Sequence, residues 1–145
     1  MPKFQSGYYT LKNPNKYVGT KTPRYRSGWE FSFMRFCDEH PNIIAWSSEP
    51  LKIPYRNPFT GKYTVYVPDF FVVYIDKNGR KNAELIEVKP MSQTSMEMAG
   101  KSLGKKKQVV INMAKWEAAN AYAKQRKIRF RVVSEEQLFH QGTRK

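Results

Sequence analysis

The chain has 145 residues, 40% of them hydrophobic and 14% aromatic, a composition that fits one globular domain with a real core. Its 26 Lys and Arg against 12 Asp and Glu leave a formal charge of +14, which points to a polyanion as partner, nucleic acid being the commonest; a basic ribosomal or membrane-surface protein would carry the same total. A single cysteine, Cys37, excludes an internal disulfide, and with only His40 and His140 beside it there is neither zinc-ligand spacing nor material for Ser/His or Cys/His nucleophilic chemistry.

Any catalysis must therefore rest on carboxylates and a metal. No apolar run is long enough to span a bilayer, and the opening MPKFQSGYYT lacks the apolar core of a signal peptide. The expected location is the cytoplasm.

In chain order, residues 1–26 mix Lys, Arg, Tyr, Pro and Gly without sustained periodicity. They read as a basic N-terminal arm, with Arg24 and Arg26 available to phosphates, that either extends along a nucleic-acid backbone or packs across the surface. Residues 27–145 read as the folded domain. Ser27 and Glu30 fit a capping box opening a helix that puts Trp29, Phe33 and Phe36 on one face, with Cys37 nearby, and ends by Pro41. IIAWSS reads as a buried strand stopped at Pro50, and LKIPY runs toward a turn in NPFTGK. A second strand is expected over about 63–75 and a third over about 83–89.

Residues 90–106 are polar, contain two glycines and read as a loop; Lys105, Lys106 and Lys107 form a phosphate-seeking run where it meets the next element. From about Lys107 to Gln125, Val109, Met113, Trp116 and Ala123 recur at helical spacing. IRFRVV is a short strand, and Ser134 with Gln137 caps a final short helix. Helix, three strands, helix, strand is the order of an α/β fold: an antiparallel β-meander plus a crossover strand, flanked by helices.

The segment YVPDFFVVYIDKNGRKNAELIEVKP, 66–90, puts two carboxylates and an amine into an apolar hairpin. With a two-residue Asn78-Gly79 turn, Asp69 would oppose Val88 and the acids would point to opposite faces. With a three-residue Lys77-Asn78-Gly79 loop, closed by glycine in the left-handed conformation, Asp69 opposes Glu87 and Lys89 emerges on the same face. Opposed Cβ atoms lie about 5 Å apart. Two carboxylates so placed repel unless a cation such as Mg²⁺ lies between them, and Lys89 is then placed to offset phosphoryl charge or help activate a water.

Read as structure alone, Asp69 after Pro68 is a turn residue, and Glu87 with Lys89 is an ion-paired edge face of little energetic weight. Against this, both strands are apolar on both faces, and burying three charges among Phe70, Phe71, Val72 and Ile86 is costly without a function. The capping position of Glu30 explains it without further role; a metal or water ligand is the alternative.

Pro68-Asp69 and Glu87-Val88-Lys89 behind a helical Glu30 resemble the PD-(D/E)xK nuclease superfamily, with its restriction-endonuclease-like core. YRSGWEFSFMRFCDEHPNIIAWSSE, IPYRNPFTGKYTVYVPDFFV, LIEVKPMSQT and KWEAANAYAKQRKIRFRVVSEEQLF together resemble, over nearly the whole chain, the head completion nucleases of T-even-type tailed phages, relatives of the endonuclease subunit of bacterial transposases. The resemblance implies a Mg²⁺-dependent DNA nuclease, Mn²⁺ substituting, that acts late in head assembly before the tail joins. The implied partners are the packaged genome end and phage head and neck proteins, with no membrane and no small-molecule cofactor. The implied setting is the host cytoplasm during virion assembly and the virion itself.

By position it makes Asp69 and Glu87 the metal ligands, Lys89 the catalytic amine and Glu30 the helix carboxylate of the site. Gln93, in the matching QT, carries no assigned mechanism, and 95–106 is a substrate-contacting loop or a divergent segment. Two other functions stay open: a DNA-binding head or neck protein without catalysis, and a nuclease of restriction, repair or transposition.

Overall fold

The computed structural model describes residues 6–89 and 95–134. Segment 6–26 takes the packed form. Strands β1 (Gly7–Tyr8) and β2 (Arg24–Tyr25) pair antiparallel around a 3-10 turn at Pro14–Lys16. Tyr9 is buried in the main core, with Leu11, Tyr17 and Tyr25 packed against it. The anchor is Asp38, fully buried, whose carboxylate accepts hydrogen bonds from the Tyr9 hydroxyl at 2.8 Å and from the N–H groups of Lys12 and Asn13 at 2.8 and 3.0 Å.

Helix α1 (Gly28–Glu39) starts where the Ser27 hydroxyl accepts the Glu30 N–H at 3.1 Å. The reciprocal bond of the expected capping box is displaced by one residue, because Glu30 Oε1 accepts the N–H of Arg26 at 2.8 Å rather than that of Ser27. The helix buries Phe33, Met34 and Cys37, a stripe at helical spacing.

Four strands form the main sheet: β3 (Ile43–Ser48), β6 (Phe70–Ile75), β7 (Lys81–Val88) and β8 (Arg129–Val133), in that spatial order. The first three are antiparallel and β8 joins β7 in parallel. The expected single strand over 63–75 is two. Strand β5 (Tyr63–Tyr66) pairs with β4 (Ile53–Arg56) in a separate hairpin, and β6 begins after Val67-Pro68-Asp69. Pro68 has no N–H for a ladder, so the chain changes sheets there.

The stretch read as a loop holds a short helix, α2 (Met96–Ala99), and the long helix α3 (Leu103–Gln125) starts four residues before Lys107. Ser102 caps it by accepting the Lys105 N–H at 3.2 Å, so Lys105, Lys106 and Lys107 lie in its opening turns. Helix α3 is the crossover that returns the chain to lie parallel as β8. The helix expected after Ser134 lies outside the described residues.

Alternation on the strands sends Phe70, Val72, Ile86 and Val88 to the α1 face, and Phe71 and Leu85 to the face shared by α3 and the β4–β5 hairpin. A three-strand meander plus one crossover strand, with helices on both faces, is the restriction-endonuclease-like α/β core. No helix among the described residues is long and apolar enough to cross a membrane.

Candidate active site

The β6–β7 turn decides what the sheet presents. Gly79 N–H donates to the Asp76 carbonyl and Asp76 N–H to the Arg80 carbonyl, both at 2.9 Å, with Gly79 at φ +78°. Asp76 Oδ1 also accepts the N–H groups of Asn78 and Arg80 at 2.9 Å. The loop is therefore Lys77-Asn78-Gly79, the three-residue alternative. The ladder runs from Ile75 opposite Lys81 to Phe70 opposite Ile86, which places Asp69 and Glu87 across from each other at the end of the pair, on the α3 face.

Each carboxylate has one oxygen pinned. Asp69 Oδ2 accepts the Val88 N–H at 2.8 Å, and Glu87 Oε1 accepts the Tyr66 hydroxyl at 2.7 Å. Glu87 Oε2 faces Lys89 Nζ at 3.4 Å. Lys89 is itself fixed in the sheet, its N–H donating to the Val133 carbonyl at 3.0 Å. Burial, then the facing charge of Glu87 and that of Glu30, raise the Asp69 carboxyl well above the ordinary range, against the Val88 N–H and Lys89. Burial raises Glu87 too, against the Tyr66 hydrogen bond and the charges of Lys89 and Lys115.

A buried acid can be neutralised inside this fold. Glu84, on the opposite face of β7, is equally buried and receives the Tyr74 hydroxyl and, at 3.0 Å, Arg131 Nε. The Asp69–Glu87 pair is different, two facing acids with one lysine contact, that of Lys89 on Glu87, a disposition that disfavours joint ionisation without further positive charge.

Sequence reasoning missed two residues. Tyr66 is the last residue of β5, buried, its phenol pushed up by burial and by Glu87. Lys115 on α3 is lowered by burial and by Lys89, against the attraction of Glu87 and Asp69, and its Nζ stands 5.8 Å from the Tyr66 ring centre. Its signal was available: Asn112, Lys115 and Ala119 fall on one face of the helix, and the flanking two are fully buried.

Glu30 adds to the raising of the Asp69 carboxyl by its charge, and its Oε1 accepts the Arg26 N–H. The Arg26 side chain pairs with Glu49 at 2.8 Å, and the Glu49 N–H donates to the Asp69 carbonyl at 2.9 Å, so Arg26 braces the site's edge. Arg24 is exposed, its guanidinium 6.0 Å from the Tyr8 ring centre. Lys105 and Lys107 are exposed and Lys106 half-buried. Gln93 lies outside the described residues.

Among the described residues no three His, Cys, Asp or Glu side chains gather as a metal cage. A pair of carboxylates on one face of the sheet fits a hard cation such as Mg²⁺, which is commonly held by one or two carboxylates and completes its shell with water and substrate phosphate.

Comparison with known proteins finds a family and a relative. A family model described as "TnsA-like endonuclease N terminal" matches residues 40–135, more than half of the chain. The head completion nuclease of enterobacteria phage T4 is 36% identical over 143 residues, covering 92% of this chain and 93% of that protein.

Proposed function

The chain belongs to the TnsA-like endonuclease N-terminal family and is a nuclease, and from that premise we propose that it hydrolyses DNA phosphodiesters with Mg²⁺, or Mn²⁺ in its place, at Asp69, Glu87 and Lys89. The observation that carries this is the opposed pair of acids with Lys89 Nζ at 3.4 Å from Glu87 Oε2.

Asp69 and Glu87 would hold the ion, which when bound supplies Lewis-acid polarisation of a phosphate oxygen and a template for the attacking water. The Val88 N–H and the Tyr66 hydroxyl each occupy one carboxylate oxygen, so both acids keep a fixed orientation; the ion would take Asp69 Oδ1 and Glu87 Oε2, the latter now facing Lys89. The Lys89 ammonium donates toward the phosphate and the incoming water and offsets charge as the phosphoryl centre becomes more anionic. Lys115 adds a second positive charge, and Glu30 holds the entry to α1 beside Asp69. Arg24, Arg26 and the Lys105–Lys107 run supply backbone attraction, Arg26 after release from Glu49.

The T4 relative is named a head completion nuclease, and on that likeness we place this enzyme in head completion. Its substrate is the packaged genome end, its partners are head and neck proteins, and its setting is the host cytoplasm during assembly and then the virion.

Incubation with plasmid DNA and Mg²⁺ gives cutting that stops with EDTA. It is lost in Asp69→Ala and Glu87→Ala and falls about 100-fold or more in Lys89→Ala. Folded variants as active as the parent would remove these residues from the mechanism and return the chain to a DNA-binding structural role.

A further inference from the structure

The β4–β5 hairpin leads straight out of the site, since its last residue is the Tyr66 that holds Glu87. It has two unlike faces. Ile53, Tyr55 and Tyr66 are buried toward α3, whereas Pro54, Arg56, Tyr63 and Val65 face outward, Tyr63 76% and Val65 53% exposed. Residues 50–68 contain Lys52, Arg56 and Lys62 and no Asp or Glu, and all three basic side chains are exposed.

The tip is built to hold its shape. Arg56 Nε donates to the Gly61 carbonyl at 2.9 Å, with Gly61 at φ +72°. Asn57 Oδ1 accepts the N–H groups of Phe59 and Thr60 at 2.8 and 3.2 Å. Lys107 Nζ lies 5.0 Å from the Phe59 ring centre, which ties the tip to α3.

We infer that this hairpin grips duplex DNA beside the phosphate being cut, Arg56 and Lys62 on the backbone and Tyr63 and Val65 against sugars and base edges. The inference rests on the nuclease reading above and adds where the duplex lies. An outward apolar face on a hairpin whose own charged side chains are all basic matches a polyanion that also offers apolar surface. An acidic protein surface would satisfy the charge and leave Tyr63 and Val65 without an apolar partner.

The dimensions agree. At about 3.3 Å per residue, Tyr63 stands about 10 Å from Tyr66, roughly three base steps at 3.4 Å each. A two-stranded ribbon also fits the major groove, about 12 Å wide.

The test is a Lys62→Ala/Tyr63→Ala/Val65→Thr variant, with Lys62→Glu alone as a second. All three positions are exposed and none belongs to the catalytic constellation. KM and kcat for cutting a duplex several turns long are compared with the parent's, alongside the Kd for the same duplex and for its single strand over a salt series.

The expected result is a KM and duplex Kd raised about tenfold or more with kcat within about twofold. The salt slope of binding falls by about one for the Lys62 contact. Unchanged KM, duplex Kd and salt slope in both variants would overturn the inference and give this face to a protein. A loss confined to the single strand would overturn it as well. If the parent cuts no DNA, the nuclease reading is what fails, and the duplex Kd alone then decides the hairpin's role.

Discussion

Asp69 and Glu87 are poised against the stability of their own fold. Both carboxyls are raised by burial, and Asp69 further by Glu87, so each contributes least to folding when ionised and without a counter-ion. Asp69→Asn should therefore abolish cutting yet raise the melting temperature in EDTA by about 3 °C or more, since one kcal/mol corresponds to roughly 2–4 °C for a chain of this size; a lower melting temperature would show that the pair is not strained. Tyr66→Phe isolates positioning from charge. It removes the hydroxyl on Glu87 Oε1 and should lower kcat about 10- to 100-fold while leaving the circular dichroism spectrum unchanged. An unaltered kcat would make Tyr66 a core residue only.

At the scale of elements, the strap 6–26 hangs on Asp38. Burial alone would raise this carboxyl, but the Lys12 N–H, the Tyr9 hydroxyl and the Asn13 N–H outweigh it and hold it below the ordinary range. With its folded pKa below the unfolded one, the contribution is complete above the ordinary aspartate range. It is lost as pH falls through the lower, folded value, because the unfolded chain takes up the proton first. Asp38→Asn should cost about 2–3 kcal/mol at neutral pH and flatten the acid limb of stability against pH in urea melts; an unchanged limb would mean that other carboxylates govern it.

The strap's packing was hidden from the sequence because its contacts to α1 are long-range and its apolar residues follow no period. The register of β6 and β7 was legible for the opposite reason: a few turn residues around Asp76 and Gly79 fix it locally. The split between β5 and β6 was marked by Pro68 alone, whose meaning depends on a second sheet that no local pattern announces. Helix α3 began early because Ser102 is a competent cap, outweighing Gly104 in the first turn, where glycine does little harm.

Taken whole, the molecule carries +14 and a site short of positive charge at its centre. Mg²⁺ should stabilise the folded protein in proportion to RT ln(1 + [Mg²⁺]/Kd), about 2.7 kcal/mol at a hundredfold excess over Kd. Thermal melts should show this shift in the parent and lose it in Asp69→Ala; equal shifts in both would place the ion elsewhere.

The parallel seam between β7 and β8 has a temporal consequence. Glu87 lies opposite Val132, and the Lys89 N–H is held by Val133, while Lys115 arrives on the helix between them. A nascent chain emerging N-terminus first has Asp69, Glu87 and Lys89 outside the ribosome long before it has the strand that fastens them. Because the Lys89 N–H is held by β8, a chain truncated before Arg129 should lack that fastening, and it is expected to show no cutting of plasmid DNA; cutting as fast as the full chain's would free the site from the seam.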